Sequence, residues 1–152
     1  MTPMPALAGR LERFLANLVD TVAIFMFTTL VLTALRLPVE SGPGMLGTFL
    51  FNAAYFSWFT ASDWQASPGQ RLFGIVVARL DGQRVGMRAA IERFLAYFMP
   101  SMPMYLSIAS PETLAKVVIW LVIVWFSPIL WRADRRAVHD LLCGTVVLTG
   151  KR

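Results

Sequence analysis

The chain has 152 residues, of which 57% are hydrophobic and 15% charged, and its formal net charge is +5. This length fits a single domain, residues 1–152, and so high a hydrophobic content excludes an ordinary soluble protein. In a membrane chain, basic residues are explained by topology and by anionic lipid headgroups, so a nucleic-acid partner is not expected. The single cysteine, Cys143, excludes an intrachain disulfide.

Four apolar segments predict an all-α membrane protein with four transmembrane helices. The first segment is followed by the turn-rich sequence Ser41-Gly42-Pro43-Gly44. The last is preceded by Ser110-Pro111-Glu112, which is typical of a helix N-terminus, and Pro128 predicts a kink near its end. The predicted spans are about 14–35, 45–62, 89–109 and 114–131.

The third predicted span is ambiguous, because Glu92 and Arg93 lie near its start and two prolines lie in its middle. The distribution of charge favours counting it as a span. With four spans, all of the 14 basic residues except Arg36 and Lys116 fall on one side of the membrane. Because basic loops stay in the cytoplasm, we expect four spans with both termini cytoplasmic.

Two segments outside the predicted spans have a β-strand composition. One is 75–80, which is followed by the turn pair Asp81-Gly82, and the other is 145–149. A hairpin alone would be marginally stable. We therefore expect a small cytoplasmic β-hairpin or sheet that joins the two segments. No internal repeat is evident in the sequence.

Two acidic residues occur where a membrane chain resists charge. Asp20 lies inside the first apolar run, and Asp140 follows the last one in a basic segment. A carboxylate in or near hydrocarbon marks a functional or packing site with a partner. Arg13 precedes Asp20 by seven residues, on nearly the same helix face but about 10 Å away along the axis. A third group would therefore have to complete a bridge between them.

Three ordered blocks resemble the RDD family of small bacterial membrane proteins, named for one arginine and two aspartates. The first is Arg13-x-x-Ala16-x-x-x-Asp20. The second is Ser67-Pro68-Gly69-Gln70-Arg71-Leu72-Phe73-Gly74, which is similar to the family's threonine-proline-glycine-lysine loop. The third is the C-terminal stretch from Arg136 to Val147. Ser67 and Gln70 depart from the usual threonine and lysine, and the loss of lysine weakens a role in binding anions or lipid at that position.

The resemblance implies that Arg13, Asp20 and Asp140 are the family's named residues. Cation/proton antiport has been attributed to some members, and many have no known function. In one hypothesis the aspartates are titratable ligands for Na⁺, K⁺ or H⁺, and Arg13 competes with the cation. In the other, Arg13 is clamped between both aspartates and fastens the C-terminal segment to the first helix.

Three further residues are secondary candidates. His139 stands beside Asp140 and could titrate near neutral pH, although interfacial hydrogen bonding is the more common role of such a histidine. Glu92 and Arg93 could form a neutral pair at the start of the third span.

Neither a nucleophile with its base nor a phosphate-binding loop is evident in the sequence, so we expect no enzymatic activity, no cofactor and no metal site. Two functions stay open. The chain is either a monovalent cation/proton antiporter or a subunit of one, or a non-transporting membrane module that supports a partner complex. In both cases we expect a multi-pass protein of the bacterial cytoplasmic membrane, in contact with the lipid bilayer and either self-associated or bound to a partner membrane protein.

Overall fold

The computed structural model describes residues 6–106 and 110–150, which form mostly helical structure and one small sheet. The elements in chain order are α1 (Arg10–Ala34), α2 (Gly42–Ala61), α3 (Pro68–Leu72), β1 (Ile75–Arg79), α4 (Met87–Phe98), a 3-10 turn (Met99–Ser101), α5 (Pro103–Leu106), α6 (Pro111–Phe126), α7 (Pro128–Trp131), α8 (Val138–Leu142) and β2 (Thr145–Thr149).

Within the described residues, two helical stretches are long and apolar enough to cross a membrane, Arg10–Ala34 and Pro111–Trp131. They coincide with the first and fourth predicted spans. The second stretch is interrupted between α6 and α7, where Pro128 produces the predicted break. Helix α2 covers the second predicted span with 20 residues, but it is not one of these two stretches.

The third predicted span, Ala89–Ala109, is not one continuous helix. Helix α4 ends at Phe98, and the chain continues through the 3-10 turn into α5; residues 107–109 lie outside the described part. Pro100 and Pro103 cause the interruption because proline has no amide hydrogen to donate within a helix. The crossing of the membrane by this segment and by α2 therefore stays a prediction.

The two predicted β segments form one antiparallel sheet, as expected. Strands β1 and β2 pair in a register centred on Val77 and Val147. The Asp81-Gly82 turn also forms, with Gly82 at φ +77° and its amide donating to Arg79. However, the residues that follow the turn do not continue as a regular strand, so β1 pairs with β2 and not within a hairpin.

The chain contains an internal structural repeat that the sequence analysis did not detect. Helix α3, a glycine and β1 recur seventy residues later as α8, a glycine and β2. Gly74 and Gly144 both have positive φ, +63° and +60°. Gln65 and Arg135, the same distance apart, also share the left-handed conformation, which non-glycine residues seldom adopt.

The hydrogen bonds around the sheet repeat in the same way. The amides of Leu80 and Gly150 donate to the carbonyls of Gly144 and Gly74 respectively. The outer edges of the two strands also match. The amide of Arg79 donates to the carbonyl of Gln83 on one edge, and the amide of Thr149 donates to the carbonyl of Ala6 on the other. The order of elements in residues 6–79 therefore recurs in residues 83–149, and we call these the two units. Their short helices, glycines and strands are related by an approximate two-fold axis through the Val77–Val147 pair.

The two units meet in a small apolar core between the sheet and the first turns of α1 and α4. Its buried side chains are Ala8, Ala16, Ile75, Val77, Val85, Ala90 and Val147. Small side chains on the two helices allow the sheet to approach the helix backbones closely. We call α3, β1, α8 and β2 together the cap, which this core attaches to α1 and α4.

Candidate functional site

The carboxylate of Asp140 is the centre of a buried charged cluster. Asp140 lies at the third position of α8 and is 0% exposed. Arg13 Nη2 lies 2.5 Å from Oδ2, and Arg93 Nη2 lies 2.8 Å from Oδ1. The amide of Ala137 and the hydroxyl of Thr145 each donate at 3.3 Å. Both carboxylate oxygens are therefore occupied by groups of the protein itself.

The two arginines reach Asp140 from different helices. Arg13 extends from the first turn of α1 and also donates to the carbonyl of Arg135. Arg93 extends from the middle of α4, where its Nε donates to Thr145 at 3.3 Å. Each arginine side chain is only 10% exposed. One carboxylate thus joins α1, α4 and α8, which lie far apart in the sequence.

The electrostatics of the cluster keep Asp140 ionised. Burial alone opposes the charged form, but the surrounding positive charges, including Arg93 and Arg13, hold the pKa of Asp140 well below its usual range. A carboxylate of this kind does not exchange protons near neutral pH. It is a fixed negative charge between two fixed positive charges.

His139 is neutral in this environment. Burial lowers its pKa to about 3; the charge of Asp140 opposes this shift, and the charges of Arg93 and Arg13 add to it. Its Nε2 lies 3.3 Å from Arg93 Nη2, and its ring packs edge-on against Tyr97 with centroids 5.5 Å apart. The hypothesis that His139 titrates near neutral pH is therefore wrong, because the ring is buried beside two cations.

Asp20 belongs to a second, separate site. It is 1% exposed, and its Oδ1 accepts from the Tyr55 hydroxyl and from the amide of Gly69, both at 2.8 Å. Its Oδ2 accepts from the Ser67 hydroxyl at 2.5 Å. In the described part of the chain no ion pair involves Asp20. Arg13 therefore does not clamp both aspartates, as one sequence hypothesis had it, because it turns toward α8 and the cap fills the space beside Asp20.

The Ser67-Pro68-Gly69-Gln70 motif forms the start of α3, and this start rests on α1. The Ser67 side chain accepts from the Gln70 amide, and the Gln70 side chain accepts from the Ser67 amide at 2.9 Å, which is a capping box. A Cβ at Gly69 would lie 2.3 Å from the carbonyl oxygen of Ala16. Glycine is thus required for contact with α1, and Gln70 has a structural role where the family commonly has lysine.

The predicted neutral pair of Glu92 and Arg93 does not form. Glu92 pairs on the exposed face of α4 with Arg88, whose Nε lies 2.9 Å from its carboxylate. Arg93 points to the opposite face and into the cluster. Successive residues on a helix do not face each other, which explains the difference.

The internal repeat relates the two sites to each other. Asp20 and Tyr97 occupy matching positions on α1 and α4, and Gly69 and His139 match on α3 and α8. Asp20 contacts Gly69 as Tyr97 contacts His139. The same contact between a helix and the cap is thus made by a carboxylate and a glycine amide in one unit, and by two packed rings in the other. In the second unit the ion-pair cluster lies beside these rings.

Sequence reasoning missed Tyr55 and gave Arg93 only a secondary place. Tyr55 reaches Asp20 from α2, and neither its spacing nor its neighbours in the sequence indicate this contact. The sequence does indicate a role for Arg93, since a basic residue inside an apolar helix needs an acidic partner. Within the described residues, no group of three or more histidine, cysteine, aspartate or glutamate side chains could hold a metal ion.

Two long apolar helical stretches, and a cap that buried charge holds against α1 and α4, are the features of a helical membrane protein with a small β element. The RDD family model matches residues 7–144, and the chain belongs to this family of membrane proteins. It is 24% identical over 106 residues to the uncharacterized protein YxaI of Bacillus subtilis (strain 168). The alignment covers 70% of this chain and 58% of that relative. No solved structure matches the chain.

We predict that Asp140→Asn lowers the free energy of unfolding by about 3–5 kcal/mol, because it leaves two buried guanidinium groups without a counter-charge. Arg13→Gln and Asp140→Asn should be strongly non-additive, whereas Arg13→Gln and Asp20→Asn should be additive, because Asp20 lies in a different site. Denaturant unfolding in mixed micelles for the single and double variants measures both couplings. An equally large coupling of Arg13 with Asp20 would contradict the two-site arrangement.

We predict that stability falls as the pH is lowered from about 6 to 4, because of His139. Its folded pKa of about 3 lies below the ordinary value of 6.5, so the unfolded state binds a proton first across this interval. The loss should approach about 1.4 kcal/mol per pH unit. His139→Gln serves as the control and should flatten the profile between pH 6 and 4. The lowered pKa values of Asp140 and Asp134 act only below their ordinary value of 3.8.

Proposed function

We propose that this chain is a four-span, non-transporting membrane module whose cap is fixed at the cytoplasmic face, where it supports a partner membrane protein or a second copy of the chain. The observation that carries the proposal is the saturation of Asp140 by Arg13 and Arg93. A carboxylate held between two guanidinium groups has neither a free oxygen for a cation nor a proton to exchange. Such a group fastens helices together.

The internal repeat supports the four-span topology. Helix α1 in the first unit corresponds to the segment from α4 to α5 in the second, and α2 corresponds to α6 with α7. Each unit therefore contains one of the two long apolar stretches, together with the helical segment that corresponds to the other stretch. If α1 and the α6–α7 stretch cross the bilayer, this correspondence favours a crossing of the bilayer by their counterparts as well.

The charge distribution supports the orientation. Arg36 and Lys116 follow or begin helices at the end away from the cap, and the other basic residues lie on the cap side or in the flanking chain ends. Basic segments favour the cytoplasmic side of a bacterial membrane. The position of both buried carboxylates beside the cap also favours a structural role, since transport sites tend to lie near the bilayer midplane.

A monovalent cation/proton antiporter is the second candidate, and one observation favours it. Asp20 is buried with neutral donors only. A cavity of about 210 Å³ begins at the next residue of α1, Thr21, and its mostly apolar lining includes Thr48 and Asn52. A buried carboxylate in a helix bundle is a feature of proton and ion pathways.

We predict that purified protein in proteoliposomes gives no proton movement driven by a Na⁺ or K⁺ gradient beyond that of protein-free liposomes. A pH-sensitive dye inside the vesicles measures it, with Asp20→Asn and the exposed-carboxylate variant Asp63→Asn reconstituted in parallel. Cation-driven proton movement that Asp20→Asn abolishes and Asp63→Asn preserves would refute the non-transporting module and establish the second candidate.

A further inference from the structure

An open groove of about 500 Å³ runs along the outer face of α2 beside the start of α4. Its walls are almost entirely apolar and include Phe51, Ala54, Trp58, Phe59, Met87 and Ile91. Trp58 is 66% exposed, so the groove opens outward from the helices. Its shape and composition fit a hydrocarbon chain.

The groove contains one polar group that lacks a partner. Ser57 is only 4% exposed and lines the groove, and in the described part of the chain its hydroxyl has no hydrogen-bond partner. A buried hydroxyl without an acceptor is destabilising. An acceptor on a molecule that occupies the groove would remove this penalty.

The end of the groove nearest the cap is positively charged. The guanidinium of Arg71 lies 4.4 Å above the ring of Trp64, and Trp64 stacks on Phe59 with ring centroids 5.4 Å apart. Arg84 and Arg88 lie close by in the chain leading into α4 and along its first turn, and they pair with Asp63 and Glu92. Three cations and two carboxylates leave this rim with an excess positive charge.

The vertical order of these groups matches that of a phospholipid. Ser57 lies four residues before the end of α2 at Ala61, which is about 6 Å along the helix from that end, and Phe51 lies about 9 Å further along. A phospholipid has its phosphate at the surface, its ester carbonyls beneath, and its acyl chains below them. The rim, the Ser57 hydroxyl and the apolar walls occur in the same order.

We propose that this groove binds an anionic phospholipid. Its phosphate lies at the rim near Arg71, an ester carbonyl accepts a hydrogen bond from Ser57, and an acyl chain lies along the apolar walls. Lipid binding goes beyond the proposed function, but the choice of an anionic lipid rests on the orientation proposed there. In that orientation the rim lies at the cytoplasmic leaflet, where basic residues attract anionic headgroups.

Native mass spectrometry of the full chain in detergent tests the proposal with three probes: dioleoylphosphatidylglycerol, dioleoylphosphatidylcholine and inorganic phosphate. We expect the phosphatidylglycerol to bind about tenfold more tightly than the phosphatidylcholine, which has the same chains. Arg71→Gln should remove most of this preference. Arg79→Gln, which deletes an exposed arginine on β1, is the matched control and should retain it.

Ser57→Ala should weaken the binding of both lipids several-fold, because both have ester carbonyls. Ala54→Trp fills the groove and should have a larger effect. Melting temperatures measured without lipid show whether each variant is folded. If Ala54→Trp does not fold, the conservative Ser57→Ala variant decides the test. Equal affinity for the two lipids would overturn the proposal, as would equal losses in Arg71→Gln and Arg79→Gln. Displacement of phosphatidylglycerol by millimolar phosphate would also overturn it, by assigning the affinity to a free anion. Proton transport in the liposome assay would leave the lipid result unaffected, so the two proposals fail separately.

Discussion

The negative charge of Asp140, which is fully removed from solvent, constrains the arrangement of the described structure. A buried carboxylate is tolerated only when charged partners and hydrogen-bond donors surround it closely. Here the partners come from α1 and α4, while the carboxylate itself belongs to a helix of only five residues. So short a helix has little stability of its own. The ion pairs therefore fix both the position of α8 and the place where β2 begins, and β2 in turn completes the sheet with β1.

The repeat shows how one backbone arrangement accommodates two kinds of contact. In both units a short helix, a glycine with positive φ and a strand pack onto the beginning of a longer helix, α1 or α4. In the first unit the membrane helix supplies the anion, Asp20, and the start of α3 supplies neutral donors. In the second, α4 supplies the cation, Arg93, and the short helix α8 supplies the anion. The two family aspartates thus hold the two halves of the cap by different chemistry. This difference explains why Arg13 serves only one of them.

Much of the secondary structure could be predicted from the sequence, because apolar length, helix caps and β-branched segments are local signals. The hypothesis that Arg13 is clamped between both aspartates is correct for Asp140 and wrong for Asp20. The family blocks indicate all three residues but not which of them are in contact. Tyr55 and Ser67 could not be assigned to Asp20, because their contacts depend on how α2 and α3 pack against α1. The repeat did leave a trace, the pattern Leu-x-Gly-x-Val-Val at 72–77 and again at 142–147. This pattern is short, and the side chains that surround Asp20 and Asp140 differ so much that the sequence does not reveal the repeat.

Hydrogen exchange of Asp140→Asn in detergent tests most directly whether this buried charge holds the cap in place. The amides of β1 and β2 should exchange at least about tenfold faster than in the unaltered protein. Those near the start of α6 should keep their protection, because α6 packs against α8 at its other end, through Phe126 and His139. Glu92→Gln, an exposed change on the same helix as Arg93, is the control and should leave both regions unchanged. Unaltered protection of the β1–β2 ladder in Asp140→Asn would contradict the account, because the cap would then be held without the cluster.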